Sequence, residues 1–368
     1  MLWSGNIGGA TRAVFQLVRS QVHLSRYSPV LAFAQNSGFY AQEAQQLGCE
    51  VINLELTSDK YIHQARRLKR IFERYPIHHF HSAEITSMLA SVLSSRAVRV
   101  YTHRGGIIDY KGKRKLRYML AGYFLRRSFH GLSGNTRHAS LCGKELFNTN
   151  GQIWHTTYNG IDFSLLSPKR SRSEVARELR LQLRDEIVIG TSAQLRDWKR
   201  VDLLLHACAQ LRAQSFYLLI IGDGPAKAGL EKLARQLGIS SRTIFTGLKE
   251  RVGDYLGLID IFVLPSLGLE SFGNAVVEAM AQTIPAIVFE DGGGLLEHVQ
   301  DGVNGYVVTS VEDLKGRLQT LIENSLQRTE MGKQAQLYVT QRYTTAAMIA
   351  AYDQLYDSVF LTNKVHMK

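Results

Sequence analysis

Short apolar runs of strand length alternate with amphipathic stretches of helix length along most of the chain, and this alternation restricts the fold more than any other feature of the sequence. In the first half, "EVINLEL" (Glu50–Leu56), "IHHFHS" (Ile77–Ser82), "VRVYTH" (Val98–His103) and "HGLSG" (His130–Gly134) read as strands. In the second half, "EIVIGTSA" (Glu186–Ala193), "FYLLIIG" (Phe216–Gly222), "TIFTG" (Thr243–Gly247), "IDIFVLPS" (Ile259–Ser266) and "IPAIVFE" (Ile284–Glu290) do the same. Helical patterns such as Val201–Ala213 and Ala226–Gly238 separate them. Nearly all-apolar strands spaced by helices form parallel sheets covered on both faces. Roughly ten strands exceed one compact sheet. The pattern therefore predicts two doubly wound, Rossmann-like α/β domains facing each other across a cleft.

The turn residues Asn159-Gly160 in "YNGIDFSLLSP" mark the expected boundary. We take residues 1–163 as the first domain, 164–340 as the second, and 341–368 as a terminal helical segment able to cross back to the first. The charged "KRSRSEVARELRLQLRDE" after the boundary reads as a solvated linker helix. The start is unusual: "MLWSGNIGGA" reaches its glycine pair, Gly8-Gly9, after a run too short for an ordinary strand of ~5–6 residues. That leaves either a very short opening strand or a chain that starts late within it.

Composition narrows the class. An apolar content of 45% and a charged content of 21% are those of a globular chain. No apolar run approaches the roughly 18 residues of a membrane span, and no signal-peptide pattern opens the sequence. Three widely separated cysteines, Cys49, Cys142 and Cys208, suit a reducing compartment and argue against a disulfide framework or a zinc site. The net charge of +12 is uneven: residues 1–165 hold 21 Lys and Arg against 9 Asp and Glu, and the remainder holds 23 of each. Much of the excess lies in Lys111–Phe129, where basic residues interleave with Leu116, Tyr118, Met119, Leu120, Tyr123, Phe124 and Leu125. Such a segment suits an interfacial helix on anionic lipid. With no nucleic-acid motif beside it, a nucleic-acid partner is not expected.

In open parallel sheets, ligands bind outside the carboxyl ends of the strands. Gly8-Gly9, His103, "AQLRDWKR", "GDGP" and "SLGLESFGN" all fall at such ends. The stretch "GLESFGNAVVEAMA" (Gly268–Ala281) predicts a helix with Ala275, Val276, Ala279 and Met280 on its buried stripe. A helix start carries unpaired N–H groups and about half a positive charge. Gly273 permits close approach of a phosphate oxygen to the backbone. Glu278 suits paired ribose hydroxyls, Glu270 the hydroxyls of a sugar, and Lys199 the phosphates. A plainer reading of the acids, as charges that offset the helix macrodipole, fits either one taken alone.

As an ordered set, "VIGTSAQLRDWKRVDLLLHA", "LLIIGDGP", "IFTG", "IDIFVLPSLGLESFGNAVVEAMA" and "GGGLLEHVQDGVNGYVV", with "TTYNGID" before them, resemble the retaining glycosyltransferases of family four. These have the GT-B architecture. The resemblance implies that Glu270 contacts the donor sugar and Glu278 the ribose. It implies that Lys199 and the amides around Ser271, Phe272, Gly273 and Asn274 hold the diphosphate. It matches Gly8 and Gly9 to the glycine loop of the first domain and His103 to a histidine near the reacting carbon. The chain departs from the family where Gln194 stands in place of an arginine, with Arg196 or Arg200 as candidate substitutes.

The implied reaction transfers a sugar from a nucleotide sugar to a glycan or lipid-linked acceptor with retention at the anomeric carbon, in lipopolysaccharide or another envelope polysaccharide. No Asp-x-Asp is found, and neither an obligatory metal nor a further cofactor is expected. The implied location is the cytoplasmic face of the inner membrane, held peripherally by the basic first half. Two rival readings are a sugar-nucleotide epimerase or hydrolase of the same fold, and a non-catalytic nucleotide-sugar-binding protein at the membrane surface.

Overall fold

The computed structural model describes residues 1–2, 9–35, 38–56, 61–94, 97–106, 112–211 and 216–366. The chain divides into two units, one of Met1–Ile161 with Tyr343–Lys368 and the other of Asp162–Arg342.

In the first unit, strands β1 (Val30–Phe33) and β2 (Glu50–Asn53) pair in parallel. Strands β3 (Ile77–Phe80), β4 (Val98–His103), β5 (Gly131–Gly134) and β6 (Trp154–Thr156) form a second parallel sheet in that order. All residues of β4 are buried, as an inner strand with helices on both faces requires. Its one cation, Arg99, is satisfied by carbonyls: the guanidinium donates to Ser91 at 2.8 and 2.9 Å and to Ser94 at 2.6 Å. These acceptors end the helix Ile85–Leu93, where carbonyls lack intrahelical partners and a cation is favoured.

The last helix, Thr345–His366, packs Met348, Tyr352, Leu355 and Val359 against Val98 and Val100 of β4. Arg104, at the end of β4, donates to the Asn159 side-chain oxygen at 2.6 Å and to the Tyr352 hydroxyl at 3.0 Å. Ile161 N–H donates to the Tyr343 carbonyl at 2.8 Å. A buried apolar face and polar ties of this kind join the end of the chain to the first unit.

The second unit is a single parallel sheet. Its strands are β7 (Ile187–Ser192), β8 (Phe216–Ile221), β9 (Thr243–Gly247), β10 (Ile261–Leu264), β11 (Ala286–Phe289) and β12 (Gly305–Val308). They run in the order β12-β11-β10-β7-β8-β9. Strands β10 and β11 are buried throughout, and Ile189, Leu218, Ile220, Val263 and Ile287 lie in one core. The segment read as a solvated linker helix is instead part of this unit. Its helix, Arg172–Glu178, buries Val175 and Ala176. Arg170 and Arg251 both bind the buried Asp254 at 3.2 Å, which ties the segment down. Among the described residues, no helix is long and apolar enough to cross a membrane.

Four histidines of the first unit stay neutral in the fold. Burial pushes His78 and His103 down to about 4 from 6.5, and holds His79 and His81 well below 6.5. His78 bonds the Ser91 hydroxyl and the Phe72 carbonyl, both at 2.7 Å, and His79 bonds the Tyr356 and Thr102 hydroxyls at the same distance. Depressed folded values mean that the unfolded chain binds more protons between pH 4 and 6.5. These groups therefore favour the fold fully above about pH 6.5 and progressively less as the pH falls towards 4. Urea unfolding of the protein should show a midpoint that drops steadily from pH 7.5 to pH 5. A midpoint independent of pH across that range would contradict the assignment.

Candidate functional site

Three loops of the second unit meet at the carboxyl ends of β11, β10 and β7, which are neighbours in its sheet. The loop after β7 ends in a 3-10 turn, Asp197–Lys199, followed by Arg200 in the left-handed region at φ 49°. Leu267 N–H donates to the Trp198 carbonyl at 2.9 Å, joining this loop to the one after β10. Gly294 N–H donates to the Glu270 carbonyl at 2.9 Å, joining that loop in turn to the 3-10 turn Gly293–Glu297 after β11.

Lys199 is 9% exposed, and its ammonium pairs with the Glu270 carboxylate. The ammonium also lies 4.3 Å from the Trp198 ring centroid. Arg200 donates to the Pro265 carbonyl at 2.7 Å and forms an ion pair with Asp291. Arg200 is thereby committed to the scaffold, whereas Arg196 is exposed and forms no ion pair among the described residues. Of the two candidates for the charge that Gln194 does not supply, only Arg196 has its guanidinium in solvent. Gln194 itself is exposed.

The helix Asn274–Ala281 starts at Gly273, whose φ is 76°, and no side chain caps it. Ser271 and Asn274 are half-buried. Phe272 is buried; its ring packs edge-on to His298 at 4.6 Å, and its carbonyl accepts from His298 Nε2 at 2.6 Å. Burial pushes His298 down to about 4, so it is a neutral support for the turn. The Asn304 side chain donates to the His298 carbonyl at 3.1 Å and extends that support. Sequence reading missed His298 and Asn304. Their one signal was the "GGGLLEHVQDGVNG" stretch that follows β11.

Glu278 is 3% exposed and lies beyond the helix's first turn, which contains no acid. The macrodipole reading of this acid therefore fails, because that effect is confined to the first turn. Val276, Ala279 and Met280 are buried as expected, but Ala275 is only half-buried, and Val277 is buried in addition.

In the first unit, His103 ends β4 and is 7% exposed. Its Nδ1 lies 3.3 Å from the Tyr101 hydroxyl, and its Nε2 lies beside the Gly105 backbone, a hydrogen bond to which partly offsets the burial that lowers its pKa. With Tyr101 donating to Nδ1, the ring carries its proton on Nε2, the nitrogen beside the Gly105 backbone. Gly9 opens the helix Gly9–Leu24, while Gly8 lies outside the described residues. Lys199 and Glu270 are thus brought together in the second unit, which also carries Ser271, Phe272, Gly273, Asn274 and Glu278, and Gly9 and His103 belong to the first.

A basic loop, a glycine-entered helix start and two acids lie at the carboxyl ends of a parallel sheet, where open sheets of this kind bind ligands. Residues 174–338 match the family model "Glycosyl transferases group 1". Curated relatives resemble this chain over part of its length. The N-acetyl-alpha-D-glucosaminyl L-malate synthase of Bacillus anthracis is 31% identical over 60% of this chain and 57% of its own. The lipopolysaccharide core biosynthesis glycosyltransferase LpsE of Rhizobium meliloti is 31% identical over 46% of this chain and 50% of its own. The chain thus spans about half the length of the curated relatives it matches. A crystal structure of Anabaena HepE in complex with UDP covers 97% of this chain and 98% of its own, at TM-score 0.84 and 20% identity. That likeness establishes the GT-B fold.

The crowding at Gly273 can be tested. A Cβ there would lie 2.1 Å from Leu295 Cδ2, whereas one at Gly238, with a similar φ of 72°, would meet nothing within 4 Å. Gly238→Ala should cost only the left-handed backbone penalty of about 1 kcal/mol, and Gly273→Ala about 2–4 kcal/mol. Urea midpoints of the two variants measure the difference. Equal losses would contradict the close packing of this turn.

Proposed function

We propose that this chain is a retaining glycosyltransferase that moves a sugar from a nucleoside diphosphate to a hydroxyl of an envelope glycan or a lipid-linked glycan. The observation that carries this reading is the Lys199–Glu270 pair beside a helix start that no side chain caps. Without a ligand, Glu270 supplies the counter-charge of a nearly buried ammonium. A diphosphate at the helix start would supply that charge instead and leave Glu270 to bind the sugar's hydroxyls. Glu278 would take the ribose hydroxyls, and the amides around Gly273 the phosphate oxygens.

In the reaction, the bond from the anomeric carbon to the diphosphate oxygen breaks, and the acceptor oxygen bonds to that carbon on the same face. The acceptor's proton leaves with the diphosphate oxygen. Lys199 and the preorganised amides stabilise the charge that develops on the leaving group. His103 remains neutral at physiological pH and offers Nε2–H to the transferred sugar as a dipole rather than a charge. The nucleotide-sugar requirement rests on family likeness and on the UDP bound by the Anabaena protein.

A thermal-shift screen of nucleoside diphosphates, UDP first, tests the donor site. Ligand at one hundred times its dissociation constant adds about 2.7 kcal/mol of stability. Glu278→Ala should abolish the shift. Glu270→Gln should leave Lys199 uncompensated, lower the stability of the free protein and enlarge the shift, while turnover falls by about 10²-fold or more. A Glu278→Ala protein that binds nucleotide as the parent does would remove the ribose assignment. Nucleoside diphosphate released at the same rate with and without acceptor would favour hydrolysis over transfer.

The basic helix Lys113–Ser128 supports a membrane-surface acceptor. Leu116, Met119, Leu120 and Tyr123 form a stripe on it that is 59%, 61%, 45% and 51% exposed. Exposed Lys115, Arg126 and Arg127 accompany the stripe. A solvated helix does not ordinarily present a contiguous apolar stripe edged by cations, and an interfacial one does. The protein should float with vesicles containing phosphatidylglycerol at low salt, and the double variant Leu116→Ser, Met119→Ser should remain in the unbound fraction. Equal flotation of the two would assign membrane binding elsewhere.

A further inference from the structure

The turn that presents Lys199 is fixed in its backbone, and this alone does not fix the lysine's side chain. Lys199 N–H donates to the Arg196 carbonyl and Arg200 N–H to the Asp197 carbonyl, both at 2.9 Å, which closes the 3-10 turn. The Trp198 carbonyl accepts from Leu267 N–H at 2.9 Å. Arg200 locks the exit. It holds a left-handed φ of 49°, which side-chain-bearing residues adopt uncommonly, and its guanidinium bonds the Pro265 carbonyl at 2.7 Å and lies 5.1 Å from the Phe289 ring centroid. A lysine on such a turn still has several rotatable side-chain bonds, so the place of its ammonium must be set by something else.

Two contacts set it. The Glu270 carboxylate pairs with the ammonium, and the Trp198 ring centroid lies 4.3 Å from Nζ, inside the ~6 Å over which an aromatic face attracts a cation. The lysine side chain is 11% exposed, so water screens both contacts poorly. The two partners differ in kind. Glu270 neutralises the ammonium, and in the proposed reaction it turns to the sugar's hydroxyls. The indole is uncharged and accepts no proton that a phosphate oxygen needs; it holds the cation through the negative face of its ring. It therefore restrains Lys199 with and without a ligand and leaves the lysine's charge whole. Core packing does not account for Trp198, which is half-buried while other side chains build the apolar core of this unit.

We propose that Trp198 is a positioning residue of the diphosphate site: its ring keeps the Lys199 ammonium aimed at the bound phosphates once Glu270 has turned to the sugar. The inference rests on the donor site of the proposed function and adds to it a residue that acts through Lys199. Its effect is greatest as the leaving diphosphate takes up charge, because an ammonium free to swing would have to be brought back at that moment. A misaimed lysine therefore costs more in turnover than in nucleotide affinity.

The test is a double-mutant cycle, read in UDP affinity by titration calorimetry and in kcat. The affinity arm needs no acceptor, so it is read whether or not transfer is observed. Trp198→Leu keeps apolar bulk and removes the aromatic face; it should weaken UDP binding about fivefold and lower kcat about tenfold or more. Trp198→Phe keeps an aromatic face and should recover most of both losses. In a Lys199→Met background, Trp198→Leu should cause no further loss, because the group it holds is gone. A ring that merely packs the loop would give the same loss in both backgrounds, and that additivity would overturn the inference while leaving the donor site standing. So would a Trp198→Leu protein equal to the parent, or a Trp198→Phe protein as impaired as Trp198→Leu. A parent protein that binds no nucleoside diphosphate would overturn the donor site and this inference with it.

Discussion

The candidate site depends on backbone packed directly against backbone. A Cβ at Gly294 would lie 1.9 Å from the Ser271 carbonyl oxygen, so only glycine allows the turn after β11 to press against the loop after β10. The same contact carries the Gly294–Glu270 hydrogen bond, and it orients the carboxylate that holds Lys199. Below it, His298 and Asn304 fasten the carbonyls of the turn. The turn is therefore rigid before any ligand arrives, which is the condition for amides to act on developing charge without reorganising first.

The scaffold residues around this contact use up some charges and leave others available. Arg200 is consumed by Asp291 and the Pro265 carbonyl, while Lys199 is held by a single acid that also belongs to the site. A nearly buried cation with one exchangeable partner is suited to an anionic ligand, because the ligand inherits a charge whose desolvation has already been offset. His103 follows a similar logic in its own unit. The fold buries it, keeps it neutral and sets Nε2 beside the Gly105 backbone.

Much of the second unit was legible in the sequence because its inner strands are continuous apolar runs. β7, β8, β9, β10 and β11 all lie within the predicted stretches, as do β2, β3, β4 and β5 in the first unit. The strands that escaped are β1, β6 and β12, with three or four residues each. β6 is half-exposed at a sheet edge, and β12 begins within the turn-like Asn304-Gly305 pair, so neither stands out as an apolar run. The segment after the boundary looked solvated because its charges dominate, and two buried residues, Val175 and Ala176, were too few to mark it as packed. In the site, residue types and glycines were legible and pairings were not. Lys199 and Glu270 are 71 residues apart, and only the sheet order brings their loops together.

The central claim is that a pyrophosphate binds at the helix start entered through Gly273. Amide hydrogen exchange of the protein with and without saturating UDP tests it most directly. The account predicts that added protection is concentrated at Gly273, Asn274 and Ala275 and in the Trp198–Lys199 turn. Binding that protects other segments and leaves these amides exchanging as before would contradict it.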